Sequence, residues 1–118
     1  MANKTLEINE KNIDFKITGL FPIYYHTLFG RDFLADFTKL EKGASTGDYD
    51  TMVIYQIVYA LAKYADKDLP SMEEWYESFE DGFAIFEVLG ELMELIQMNF
   101  VSQKKAQANK AKVASKKK

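Results

Sequence analysis

Apolar and polar positions alternate along the first arm of the chain, with Leu6 and Ile8 apolar, and again along the second, with Ile13, Phe15 and Ile17. The polar link Asn9-Glu10-Lys11-Asn12 lies between them. A period of two around a short polar link predicts a β-hairpin, with arms over residues 5–10 and 13–18. Two strands alone are marginal in water, so the apolar face of this hairpin must pack on something else in the chain.

From there the period changes to that of a helix. Thr18-Gly19 ends the second strand, and Pro22 suits a first helical turn, where its missing N–H has no bond to lose. A helix is predicted from about Pro22 to Phe29. Gly30 fits a left-handed C-terminal cap, and Asp32 fits the N-cap of a second helix carrying Phe33, Leu34, Phe37 and Leu40. Gly30, Arg31 and Asp32 thus read as a tight structural corner, with Arg31 free to pair with an acid or a partner. GASTGD, residues 43–48, reads as a loop.

A third helix is predicted over residues 50–64, with a polar stripe reduced to Gln56 and Lys63. Ser71 and Glu74 have capping-box spacing for a short helix carrying Trp75, Tyr76 and Phe79. Asp81-Gly82 breaks it. The last helix is expected over residues 83–100, with Glu87, Glu91 and Glu94 on one stripe and most other positions apolar. The fold class is therefore mainly α (α+β): an N-terminal hairpin packed on a small bundle of about five helices.

Charge divides the chain in two. Residues 102–118 hold seven lysines and no acid, which leaves 8 Lys+Arg against 18 Asp+Glu in residues 1–101, a balance of −10. The tail contains no aromatic residue and only Val113 as a sizeable apolar group. It is expected to be a flexible appendage to one folded domain of residues 1–101.

Candidate chemistry is sparse. The chain has no cysteine and a single histidine, His26, so a zinc site would need three carboxylates. No P-loop or G-x-G-x-x-G occurs, Ser71 lacks a nucleophile-elbow context, and DYD and DKD lack the EF-hand ladder of ligands. The glutamate stripe reads as a solvated face. No enzyme activity, metal or cofactor is expected.

Contact surfaces are the better signal. Two helices apolar nearly all round are either central in a core or shared with a partner. With nine Phe, seven Tyr and one Trp in 118 residues, some apolar surface should remain for self-association or another protein. Candidate contacts are Tyr55, Tyr59, Leu92 and Ile96, each of which would serve equally as ordinary core. The lysine tail could contact nucleic-acid phosphates, but it lacks aromatic residues for base stacking, and the acidic body would repel a nucleic acid.

The order of features also resembles that of a family. A short hairpin leads to an aromatic helix and Phe29-Gly30-Arg31-Asp32. Then come Ala62 to Asp66 at a helix end, Pro70 with Glu73-Glu74-Trp75, and the Ile85–Leu95 helix. In this order the chain resembles the tail assembly chaperones of long-tailed (siphovirus) phages and prophages of Gram-positive bacteria, over residues 4–100. The resemblance implies a non-enzymatic protein of the host cytoplasm, absent from the mature virion. It would bind the tape measure protein, keep it soluble, help recruit the major tail protein, and self-associate as a homo-oligomer. It also implies that a longer product often arises by frameshifting near the end of the gene. Lys116 to Lys118, or with less support Lys104-Lys105, would then mark the slip site, since lysine codons make a run of A. The lysines would equally serve as a solubilising tail. The competing class is a small phage structural or connector protein that contacts nucleic acid through its basic tail. No membrane contact is expected, since the longest nearly apolar run, residues 52–62, is far short of a span.

Overall fold

A computed structural model describes residues 2–101, and the side chains of residues 3–99. The elements are β1 (Ala2–Ile8), β2 (Lys11–Ile17), α1 (Phe21–Phe29), α2 (Phe33–Thr46), α3 (Thr51–Ala65), α4 (Met72–Glu77) and α5 (Ile85–Ile96), followed by a π-helical turn (Gln97–Val101). This is a hairpin packed on five helices, as expected. The predicted tail lies outside the described residues.

The hairpin turn is tighter than the four-residue polar link suggested. Ile8 pairs with Lys11, so only Asn9 and Glu10 form the turn, with φ of 52° and 68°. Positive φ at both positions marks a two-residue turn whose twist matches that of the strands. Lys11 and Asn12 therefore belong to β2. Thr5 Oγ1 donates to the Asp14 carboxylate at 2.6 Å on the exposed face, while Ile8, Phe15 and Ile17 are buried on the other.

The α1–α2 corner forms as predicted. Gly30 adopts φ 68°, and its N–H donates to the His26 carbonyl. Asp32 caps α2 by accepting from the Leu34 N–H at 3.1 Å. Leu34 itself is exposed, and the buried stripe of α2 is Phe33, Asp36, Phe37, Leu40 and Gly43. Of the predicted loop, residues 43–46 are instead the last turn of α2, ended by Gly47 in the left-handed conformation, and only residues 47–48 lie outside the helix. Ser45 and Thr46 hydroxyls donate to the Lys42 carbonyl, so residues that usually favour loops are absorbed by local bonds. Gly43 is buried in that turn, and a Cβ there would lie 2.7 Å from the Asp48 carbonyl oxygen.

Helix α3 is the centre of the fold. It contacts β2, α1, α2 and α5, and buries Val53, Ile54, Ile57, Val58, Tyr59, Ala60, Leu61, Ala62 and Tyr64. Each fully buried Ile or Leu is worth about 1.5–3 kcal/mol over exposure, so this helix alone carries much of the core's stability. Of the two residues of its polar stripe, Gln56 keeps a buried side-chain oxygen with no hydrogen-bond partner among the described residues, whereas Lys63 is used structurally. Lys63 Nζ donates to the carbonyls of Lys67 at 3.1 Å and Leu69 at 2.7 Å, closing the turn toward α4.

Ser71 caps α4 by accepting from the Glu74 N–H, and its hydroxyl donates to the Glu74 carboxylate. Helix α5 starts two residues later than its apolar pattern suggests. Phe83 stays outside the helix, in edge-to-face contact with Tyr76 and Phe79, and Gly82 turns the chain at φ 96°. The Asn9 side chain donates to the Gly82 carbonyl at 2.7 Å, tying the hairpin turn to this loop. Lys4 pairs with Glu91 at 3.1 Å across β1 and α5.

Candidate functional site

Three of the four proposed contact residues are consumed by the core. Leu92 and Ile96 are 0% exposed and Tyr59 is 4% exposed, so none of them faces a partner in this fold. The reason is geometric: β2, α1, α2 and α5 surround α3, and the inner face of α5 packs on that same layer. The Tyr59 hydroxyl is further tied to the Pro70 carbonyl. Glu87, Glu91 and Glu94, by contrast, are exposed, as a solvated stripe should be.

Tyr55 has a different position. With Met52, Met72 and Tyr76 it lines a groove of about 380 Å³ between α3 and α4, rimmed by Thr51 and Glu73. Met52 is 56% exposed, and the other three large side chains are half-buried. The rings of Tyr55 and Tyr76 meet edge-to-face at 4.7 Å, and the Tyr76 hydroxyl donates to the Tyr55 carbonyl at 2.7 Å. Burial raises the Tyr76 phenol well above its ordinary pKa, with Tyr55 adding to the effect, so this hydroxyl stays a donor at any physiological pH. The groove is thus an apolar trough held open by a fixed aromatic pair, with two flexible thioethers as adaptable walls.

Further apolar side chains gather at the N-terminal end of α3. Tyr49, just before the helix, contacts Phe86 edge-to-face at 5.5 Å, and Phe86 is 58% exposed. The sequence signal for this surface was the missing polar stripe of α3. What it could not show was which of those apolar positions the fold would leave uncovered.

The Gly30-Arg31-Asp32 corner holds a buried polar cluster that sequence reasoning missed. Of the two roles open to Arg31, pairing with an acid or with a partner, the fold supplies the acid: its Nε and Nη2 donate to the two Asp36 oxygens, each at 2.7 Å. The Tyr25 hydroxyl donates to the same carboxylate at 2.8 Å. Asp36 is only 3% exposed. The Arg31 hydrogen bonds hold its carboxyl below the usual carboxylate range against the opposing effect of burial, helped by Tyr25. Burial, and then the bond to Asp36, push the Tyr25 phenol up. Every member has its bonds within the cluster, which is the pattern of a structural clasp joining α1 to α2. The only available hint was an acid five residues after Arg31 in an otherwise apolar stripe.

Among the described residues no group of His, Asp and Glu could hold a metal, and no helix is long and apolar enough to cross a membrane. His26 is exposed on α1. Compared with known protein families, with curated proteins and with solved structures, the chain matches none.

Proposed function

We propose that this protein is a tail assembly chaperone that receives an amphipathic helix of a tape measure protein in the groove between α3 and α4. The reading rests on the resemblance in the order of the hairpin, the Gly30 corner, the Glu-Glu-Trp helix and the final helix. One structural observation supports it: an open groove of two methionines and two tyrosines, the kind of surface that takes the apolar face of a helix. In this reading the chain is non-enzymatic and acts in the host cytoplasm. It keeps its client soluble, helps recruit the major tail protein, self-associates, and leaves before the virion is complete.

The test is co-expression with a tape measure protein from the same genome. The client should remain in the soluble fraction with the native chain and precipitate with Met52→Glu, which places a charge in the trough at an already exposed position. A client equally insoluble with and without the native chain overturns the proposal. Light scattering should show a mass above that of one chain at high micromolar concentration.

A further inference from the structure

A second groove, of about 510 Å³, runs between β1 and α5. Its lining includes Leu6, Glu7 and Ile8, three consecutive residues of one strand. Side chains alternate between the faces of a strand, so a surface touched by three in succession reaches the strand's edge rather than one face. The pairing register says what that edge offers. Ile8 and Lys11 flank a two-residue turn and form a hydrogen-bonded pair, and alternation makes Leu6–Ile13 and Lys4–Phe15 the next ones. The backbone N–H and C=O groups of Asn3, Thr5 and Glu7 therefore point outward. Among the described residues the sheet has two strands, and no further strand lies beside this edge.

The other wall is α5, where Phe86, Glu87, Val88, Gly90 and Glu91 line the groove. Gly90 sits in the middle of a twelve-residue helix, where glycine costs about 0.5–1 kcal/mol relative to alanine. Its own fold gives no reason for it, since a Cβ there would meet nothing within 4 Å. The missing side chain does leave the groove wall low. The charged residues of the lining are all acids, Glu7, Glu87 and Glu91, and Lys4 from outside the groove offsets Glu91.

We infer that the β1–α5 groove binds an extended, lysine- or arginine-bearing segment of a partner protein, added to β1 as a third strand. The free N–H and C=O groups of Thr5 and Glu7 would supply the ladder. Apolar side chains on one face of the segment would pack toward Leu6, Phe86 and the space above Gly90, and alternate cations would meet Glu7 and Glu87. Strand addition of this kind takes affinity from the main chain and selectivity from the alternate side chains. The site is separate from the α3–α4 groove.

Two eight-residue peptides test it against the full chain at low salt, one alternating lysine with valine and the other alternating glutamate with valine. The basic peptide should bind and slow hydrogen exchange at the Thr5 and Glu7 amides, while the acidic one should not bind. The double variant Glu7→Lys, Glu87→Lys should weaken binding at least tenfold. So should Gly90→Leu, which fills the groove without altering charge and is favourable to the helix. Met52→Glu should leave peptide binding unchanged, so failure here and failure of the chaperone reading are told apart. Binding without slowed exchange at Thr5 and Glu7 overturns strand addition. Equal binding of both peptides overturns the charge argument, and no binding at millimolar peptide overturns the site. If light scattering instead shows dimers that protect the same amides without peptide, the occupant is a second copy and the inference fails.

Discussion

Replacing Arg31 by methionine removes the charge of the corner clasp while keeping an unbranched stem of similar length. Asp36 would then keep one donor, the Tyr25 hydroxyl, in a site where it is 3% exposed. Stripping the partner from a buried ion pair costs about 3–5 kcal/mol. Two features here reduce that figure. The Arg31 side chain is 40% exposed, so water can enter the space it leaves, and Asp36 lies in the first turn of α2, where the helix dipole favours an anion. A loss of about 2–3 kcal/mol is expected, which in a domain of this size lowers Tm by roughly 10–20 °C. The pH dependence supplies the sign. In the native chain the Asp36 carboxyl is held below the ordinary range, so its contribution is present above the unfolded value near pH 4 and is lost as pH falls through the lower folded value. Without Arg31 the largest influence holding the carboxyl down is gone, so the variant loses less stability than the native chain as pH drops toward 4, and the gap between them narrows. Urea titrations at pH 7, 5.5 and 4 read both effects. A loss below about 1 kcal/mol at pH 7, or a gap that widens in acid, would refute the reasoning.

Gly30→Val should destabilise by about 1–2 kcal/mol, because a β-branched residue resists the φ of 68° at that cap; an unchanged Tm would count against it. Gly43→Ala should cost about 1–3 kcal/mol in a urea melt, since its Cβ would meet the Asp48 backbone carbonyl at 2.7 Å, and a neutral result would mean that the α2–α3 connection yields freely. Glu10→Gly should stabilise by about 0.5–1 kcal/mol by relieving a non-glycine residue at φ 68°, and a lower midpoint would argue against the two-residue turn. If the proposed chaperone role holds and the lysine codons at 116–118 mark a slip site, mass spectrometry of cells that express the gene should detect an extended chain; finding only the 118-residue form, at a depth of a few per cent, rejects it.

Local chemistry determined the elements. Alternation set the hairpin, Gly30 and Asp32 set the corner, and Ser71 with Glu74 set the start of α4, because each depends on neighbours within a few residues along the chain. Where backbone bonds could absorb contrary signals, the reading failed: residues 43–46 hold loop-forming types, yet Gly47 further on supplied the cap that let α2 continue. The apolar periodicity of α3 and α5 showed that both helices bury large faces, but it carried no information on what would cover them. Only the packing decided that Tyr59, Leu92 and Ile96 go to the core while Met52, Tyr55 and Phe86 reach the surface. The Tyr25–Arg31–Asp36 clasp and the free edge of β1 beside α5 likewise exist only once separate elements meet. Burial is a property of the assembled layers, and a chain read in one dimension fixes which faces are apolar without fixing which of them the others will cover.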